Sequence, residues 1–208
     1  MVNNEARPER LMFFSDAVIA IAMTLLALDL PVPFGNSNAE MWRDFRNDWH
    51  SDYFPFLLSF LVIALFWNAH HDLFQRIGRL GNGLMPLNFA FLLGIVLVPF
   101  VTRVLGKDGG YQIGVVLYAV DLAALALLVA ALAIVARKQN LLAEGSTPDD
   151  LSRLIFGMVP TAIVFLLSIP VALASPKSAT WLWLLLLVVG RTTGPMLRRF
   201  RTRQKETP

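Results

Sequence analysis

The chain has 208 residues, 56% of them hydrophobic and 16% charged, with a formal net charge of +3 and a mean hydropathy of +0.58. That profile excludes an ordinary soluble globular protein and fits a chain that crosses a membrane several times. There is no cysteine, which excludes disulfides, thiolate metal sites and cysteine nucleophiles.

Residues 1–9 are polar. Arg10 to Pro33 then reads RLMFFSDAVIAIAMTLLALDLPVP, an apolar run that opens on Arg10, Ser15 and Asp16 and closes on Asp29 and two prolines. From Leu11 to Leu30 it has about the 20 residues that a helix needs to cross a bilayer. That is too long for the apolar core of a cleavable signal, and none is expected. Hydroxyls and carboxylates are costly in lipid, so Ser15, Asp16, Thr24 and Asp29 are expected to face protein or water. At about 100° per residue, Ile21, Leu25 and Leu28 form one stripe, with Phe14 and Val18 on the same side and Thr24 at its margin. Ser15 and Asp16 point elsewhere. Two readings of the stripe stay open: a packing face against a neighbouring helix, or a pore wall whose aliphatic rings close a path by dewetting.

Residues 35–50 form a polar connection whose Trp42, Phe45 and Trp49 suit the headgroup level of a bilayer. A second span is predicted over 52–74, a short turn over 75–82, and a third span over 83–101. A glycine-rich turn follows over 103–110, then a fourth span over 111–136. In the linker 137–152, the sequence Thr147-Pro-Asp-Asp is a helix N-cap signal. A fifth span is predicted over 154–174 and a sixth over 180–197, with a basic tail over 198–208. The expected class is an all-α membrane protein with six transmembrane helices in one domain.

Six spans place both termini on one side. The loops and ends on that side hold Arg7, Arg10, Arg76, Arg79, Arg137, Lys138, Arg153, Arg198, Arg199, Arg201, Arg203 and Lys205, twelve cations. The other side holds five: Arg43, Arg46, Arg103, Lys107 and Lys177. This asymmetry predicts cytosolic termini. The basic tail suits a membrane surface rather than nucleic acid.

With that topology, Arg10–Asp16, Trp67, Asn68, His70, His71 and Asn88 come to one depth near the cytosolic face. Polar groups there must find partners. The economical arrangement is one hydrogen-bonded network holding the first helix to the second and third, with Asp16 accepting from Trp67 or a histidine and Arg10 capping its charge. His70 and His71 diverge by about 100° on a helix, so a shared metal ion is not expected. No serine or cysteine nucleophile motif accompanies His71 and Asp16, so no enzyme is expected. Asp121, deep in the fourth span, is an intramembrane acid. It is either a functional group or a structural one bonded to Tyr118 or the backbone.

The stretch RLMFFSDAVIAIAMTLLALDL, with its R-x-x-x-F-S-D pattern at Arg10, Phe14, Ser15 and Asp16, resembles the first helix of the endosomal and lysosomal potassium channel family, transmembrane protein 175, in its six-helix prokaryotic form. FWNAHHDLF at 66–74 resembles that family's second helix. Asn88 and the Pro99-Phe100 pair agree loosely with its third. The resemblance covers residues 7–103; the later helices match in number and hydrophobicity only. It implies a homotetramer in which the first helix of each subunit lines a central pore without a classical selectivity filter. It also implies passive cation conduction favouring potassium over sodium. Its aliphatic constriction would map to Ile21, further rings to Leu25 and Leu28, and its pore-side hydroxyl to Thr24. A permeant potassium ion would pass near Ile21 and Thr24, with no cofactor and no tightly bound metal. The family's structural network would map to Arg10, Ser15, Asp16, Trp67 and His70 or His71. A multi-pass location in a prokaryotic plasma membrane follows by analogy. The alternatives are a proton- or solute-coupled secondary transporter using Asp121 and His71, and a non-conducting membrane scaffold.

Overall fold

The computed structural model describes residues 8–107, 112–175 and 183. Within them the chain is helical throughout: α1 (Pro8–Leu28), α2 (Asn38–Asn47), a π-helical turn (Trp49–Tyr53) leading into α3 (Phe54–Gln75), α4 (Leu84–Lys107), α5 (Gln112–Lys138) and α6 (Pro148–Ala174). Among the described residues five helices are long and apolar enough to cross a membrane, all but the short α2. The predicted sixth span and the basic tail lie outside the described residues apart from Trp183.

Helix bounds differ from the sequence expectation at three places. The first helix runs over 8–28 rather than 11–30: Pro8 suits a first helical position, and Pro31 disfavours helical geometry at Leu30. α4 does not stop at 101. It continues through Pro99 to Lys107, so the expected turn at 103–110 is helical in its first half. Pro99 forfeits one hydrogen bond in a helix whose neighbours hold it in place. α6 starts at Pro148 rather than 154. The backbone N–H and the hydroxyl of Thr147 both donate to the Asp150 carboxylate, at 3.0 and 2.7 Å. This cap starts the helix before its apolar run begins.

α5 is the central post. It packs most extensively on α6 and α4, and its alanines at 119, 123, 126, 130, 133 and 136 are buried. Small side chains let neighbouring helices approach closely where lipid supplies no hydrophobic drive. α1 runs antiparallel to α3 and parallel to α4. Its N-terminal part bonds to Trp67 of α3 and Asn88 of α4, while the residues after it meet Tyr53 and Arg103.

α2 buries no residue. Ser37 caps it by accepting from the Glu40 N–H at 3.3 Å. Along it Trp42 meets Phe45 edge-on, and Phe45 lies 4.4 Å from the Tyr53 ring. Asp48, just beyond it, has its carboxyl held above the usual range by partial burial, with Asp44 and Asp52 adding repulsion. At the opposite end of the bundle a short antiparallel bridge joins Ile77 to Leu142. There the Gly78 N–H donates to the Leu141 carbonyl at 2.8 Å.

Candidate functional site

α1 has two faces about 120° apart at a helical step of about 100°. One face, Leu11, Ser15, Ile19, Ala22 and Leu26, is buried in its own chain. The other is bare: Ile21 is 59% exposed, Leu25 40% and Leu28 78%. Thr24 lies on this bare face, its hydroxyl donating to the Ile21 carbonyl at 2.8 Å. Such back-bonding satisfies the hydroxyl proton locally and leaves oxygen lone pairs facing outward.

The polar groups near the start of α1 fall into two linked sets. In the buried set, the Ser15 hydroxyl donates to the Leu11 carbonyl at 2.8 Å. Ser15 accepts from the Asn88 amide at 2.9 Å, and the Asn88 carbonyl oxygen lies 2.7 Å from His70 Nε2. Donors and acceptors alternate consistently only if His70 carries its proton on Nε2. His70 Nδ1 has no partner among the described residues. The ring lies against Phe74 at 4.4 Å and parallel to Phe91 at 4.9 Å. Ser15, His70 and Asn88 are all fully buried. Such a set ties three helices together, because each member left alone would be an unsatisfied polar group.

The second set is partly exposed. Asp16 accepts from the Trp67 indole at 2.9 Å, and its other oxygen lies 3.7 Å from His71 Nδ1. That separation is an ion-pair distance rather than a hydrogen bond. Trp67 and His71 share a face of α3 with ring centroids 5.3 Å apart. Gln75 Nε2 lies 2.9 Å from His71 Nε2. Phe14 meets Phe89 of α4 edge-on at 5.9 Å.

The structure thus brings together Phe14, Ser15, Asp16, Trp67, His70, His71 and Asn88. It leaves out two residues expected among them. Arg10 is exposed and pairs with no carboxylate among the described residues, so it does not cap Asp16. Asn68 points outward on α3 and makes no hydrogen bond there. The reason is helical phase: one residue past Trp67 is a rotation of about 100°.

Of the two roles open to Asp121, the structural one through Tyr118 is not realised. Tyr118 does not bond it; the Tyr118 hydroxyl is 3.0 Å from Ser59 Oγ, which accepts from Thr102 at 2.7 Å. Asp121 faces the α4 backbone at Gly94, and its Oδ2 is buried without a partner among the described residues. The Ser59–Thr102–Tyr118 cluster was not anticipated. Its signal was three hydroxyl residues in otherwise apolar spans, at depths that match only once the helices are paired. No group of three metal-ligating side chains occurs among the described residues.

Part of the chain is similar in sequence to known proteins, and its fold is similar to solved structures. Residues 10–99 match the family described as "Endosomal/lysosomal potassium channel TMEM175". The chain is 36% identical over 118 residues to a protein from Streptomyces collinus named a potassium channel, covering 55% of this chain and 57% of that one. It is 26% identical over 111 residues to the mouse protein named "Endosomal/lysosomal proton channel TMEM175", covering 53% of this chain and 22% of that one. The matches thus span little more than half the length of the bacterial relative. The structure resembles that of a lysosomal potassium-selective channel TMEM175 homolog from Chamaesiphon minutus, with a TM-score of 0.77, 22% identity, and coverage of 89% of this chain and 97% of that one. At that identity the likeness speaks for the fold.

Proposed function

We propose, from the premise that residues 10–99 match the TMEM175 family, that this protein is a passive potassium-conducting cation channel. Four copies surround a central pore lined by α1. The observation that carries the reading is the bare face of α1. Ile21, Leu25 and Leu28 stand in one line at i, i+4 and i+7, turned away from the chain's own core, with Thr24 beside them. Around a four-fold axis each becomes a ring. Ile21 is the constriction, where aliphatic walls exclude water and raise the barrier to an ion. The Thr24 oxygens offer a passing cation a partial replacement for its hydration shell.

The buried network then has a mechanical role. It fixes the phase of α1 about its own axis, so that the apolar line and not Ser15 or Asp16 faces the pore. Small rotations or splaying of α1 move the rings off the axis and wet the path. The termini are cytosolic in this reading, and the bilayer is that of a prokaryotic plasma membrane. Its test is flux from potassium-loaded liposomes holding the purified protein, with sodium and pH varied. Potassium flux exceeding sodium flux supports it, and absence of flux favours the scaffold. One observation favours a second reading: the Asp121 oxygen within the membrane, unpartnered among the described residues, suits a proton-coupled transporter. Uphill potassium or solute movement at a fixed proton stoichiometry would select it.

A further inference from the structure

The signature network holds only one end of α1. At the other end the helix stops at Leu28, and the chain runs through Asp29 and Pro31 toward α2. Two contacts from two other elements converge on this short segment. Arg103 of α4 pairs with the Asp29 carboxylate at 3.1 Å. Tyr53, at the end of the π-helical turn, donates its hydroxyl to the Pro31 carbonyl at 2.7 Å. The two donors sit on a common support. The far end of α4 lies so close to that turn that a Cβ on Gly106 would fall on the Ser51 carbonyl oxygen. Backbone packed on backbone in this way leaves little room for one element to move without the other.

Beneath the strapped segment lies a cavity of about 110 Å³. Its walls include Leu26 and Asp29 from the α1 side, Asp52 and Pro55 from the second span, and Thr102 and Arg103 from α4. A space of that size with polar walls is large enough for several waters. Leu26 packs the last turn of α1 into the core; beyond it, the two polar contacts hold the segment from Asp29 across this gap. Leu28, the most exposed member of the bare stripe, directly precedes Asp29. Any movement of Asp29 moves Leu28.

We propose that Arg103 and Tyr53 are positioning residues for conduction. They strap the segment after α1 to the α4–turn support and set how far Leu28 stands from the pore axis. The proposal rests on the channel reading above. With the strap made, α1 is drawn toward its own chain and the Leu28 ring stays wide. With it released, the apolar stripes of neighbouring copies close on one another, because water leaves a narrow aliphatic ring. The Asp29–Arg103 pair is half-exposed, so its loss changes flux by about two- to five-fold rather than by orders of magnitude.

The test uses the full-length protein in liposomes. Asp29→Asn and Arg103→Gln each lower potassium flux by about two- to five-fold. The double exchange Asp29→Arg/Arg103→Asp recovers most of the wild-type flux, and Arg103→Lys recovers part. Tyr53→Phe, which removes only the hydroxyl, lowers flux as well. The absence of native cysteine allows a second readout: spin labels at Val32→Cys and Ile113→Cys, both exposed positions, on chains diluted among unlabelled ones. The distance distribution between them broadens in Arg103→Gln and narrows again in the double exchange. Wild-type flux in Asp29→Asn and Arg103→Gln, or a double exchange no better than either single change, overturns the proposal. So does an unchanged label distance in Arg103→Gln. Absence of flux from the wild-type protein itself overturns the channel reading instead, while the label distances still decide whether the strap positions α1.

Discussion

The Asn88 side-chain amide donates to the Ser15 hydroxyl at 2.9 Å across the contact between α4 and α1, and both residues are fully buried. Because Asn88 also meets His70 at 2.7 Å, Asn88→Ala strips partners from two helices at once. The expected cost is about 1–3 kcal/mol for each buried group left unsatisfied. It is read as a lower melting temperature and lower folded yield in detergent. Ser15→Ala costs less, since Asn88 keeps His70. Equal melting temperatures for wild type and Asn88→Ala would remove the network from any role in holding α1.

Ile21→Asn raises potassium flux. The side chain is exposed within its own chain, so folding is expected to survive the change. An amide at the constriction gives water a partner there and lowers the barrier to wetting. A tenfold rise, the expected scale, corresponds to about 1.4 kcal/mol off the barrier. Single-channel recording in bilayers decides it, and an unchanged current would mean that the α1 stripe is not the gate.

Asp16→Ala destabilises the junction of α1 and α3. The Trp67 indole then loses its acceptor and His71 its facing carboxylate. A hydrogen bond to a charged group is worth about 1.5–3 kcal/mol. Asp16→Asn keeps an acceptor for Trp67 and is expected to fall between. Thermal unfolding of both variants, ranked against wild type, checks the order.

Asp121→Leu separates structure from function in α5. The Asp121 Oδ2 is buried beside Gly94 without a partner among the described residues, and an unsatisfied polar group in a membrane interior costs about 1–3 kcal/mol. If the acid has no role in transport, the variant melts higher and conducts as before. Loss of flux with raised stability would assign Asp121 to the transport path.

Gly106→Ala breaks the contact between α4 and the turn before α3. The new methyl group has no space beside the Ser51 carbonyl. The backbone must shift, at an expected cost of about 1–3 kcal/mol. Gly157→Ala, at a glycine with open space around it, serves as the control and is expected to leave the melting temperature unchanged or slightly raised.

The parts of the site legible in the sequence share one physical cause: they repeat along a single helix or sit at fixed distances from a charged motif. The stripe of Ile21, Leu25 and Leu28 follows from helical phase alone. So does the pairing of Trp67 with His71 on one face. The cap at Thr147 was readable from its neighbours, though not the early start of α6 that it enforces. Asn68 and Arg10 were misplaced for the opposite reason. Nearness in sequence to a network says nothing about which way a side chain turns.

Composition and periodicity by themselves determined that this chain is a bundle of membrane-crossing helices and which face of the first one is apolar. Those properties are summed over neighbours a few positions apart, and no distant residue can change them. Only the tertiary structure decided which hydroxyl meets which amide. It turned His70 inward to Asn88 and left the Asp121 Oδ2 without a partner among the described residues. It also brought Arg103 and Tyr53 from separate helices onto the few residues that follow α1. Such contacts depend on the relative rotation and depth of helices far apart in the chain, which packing sets and local sequence does not.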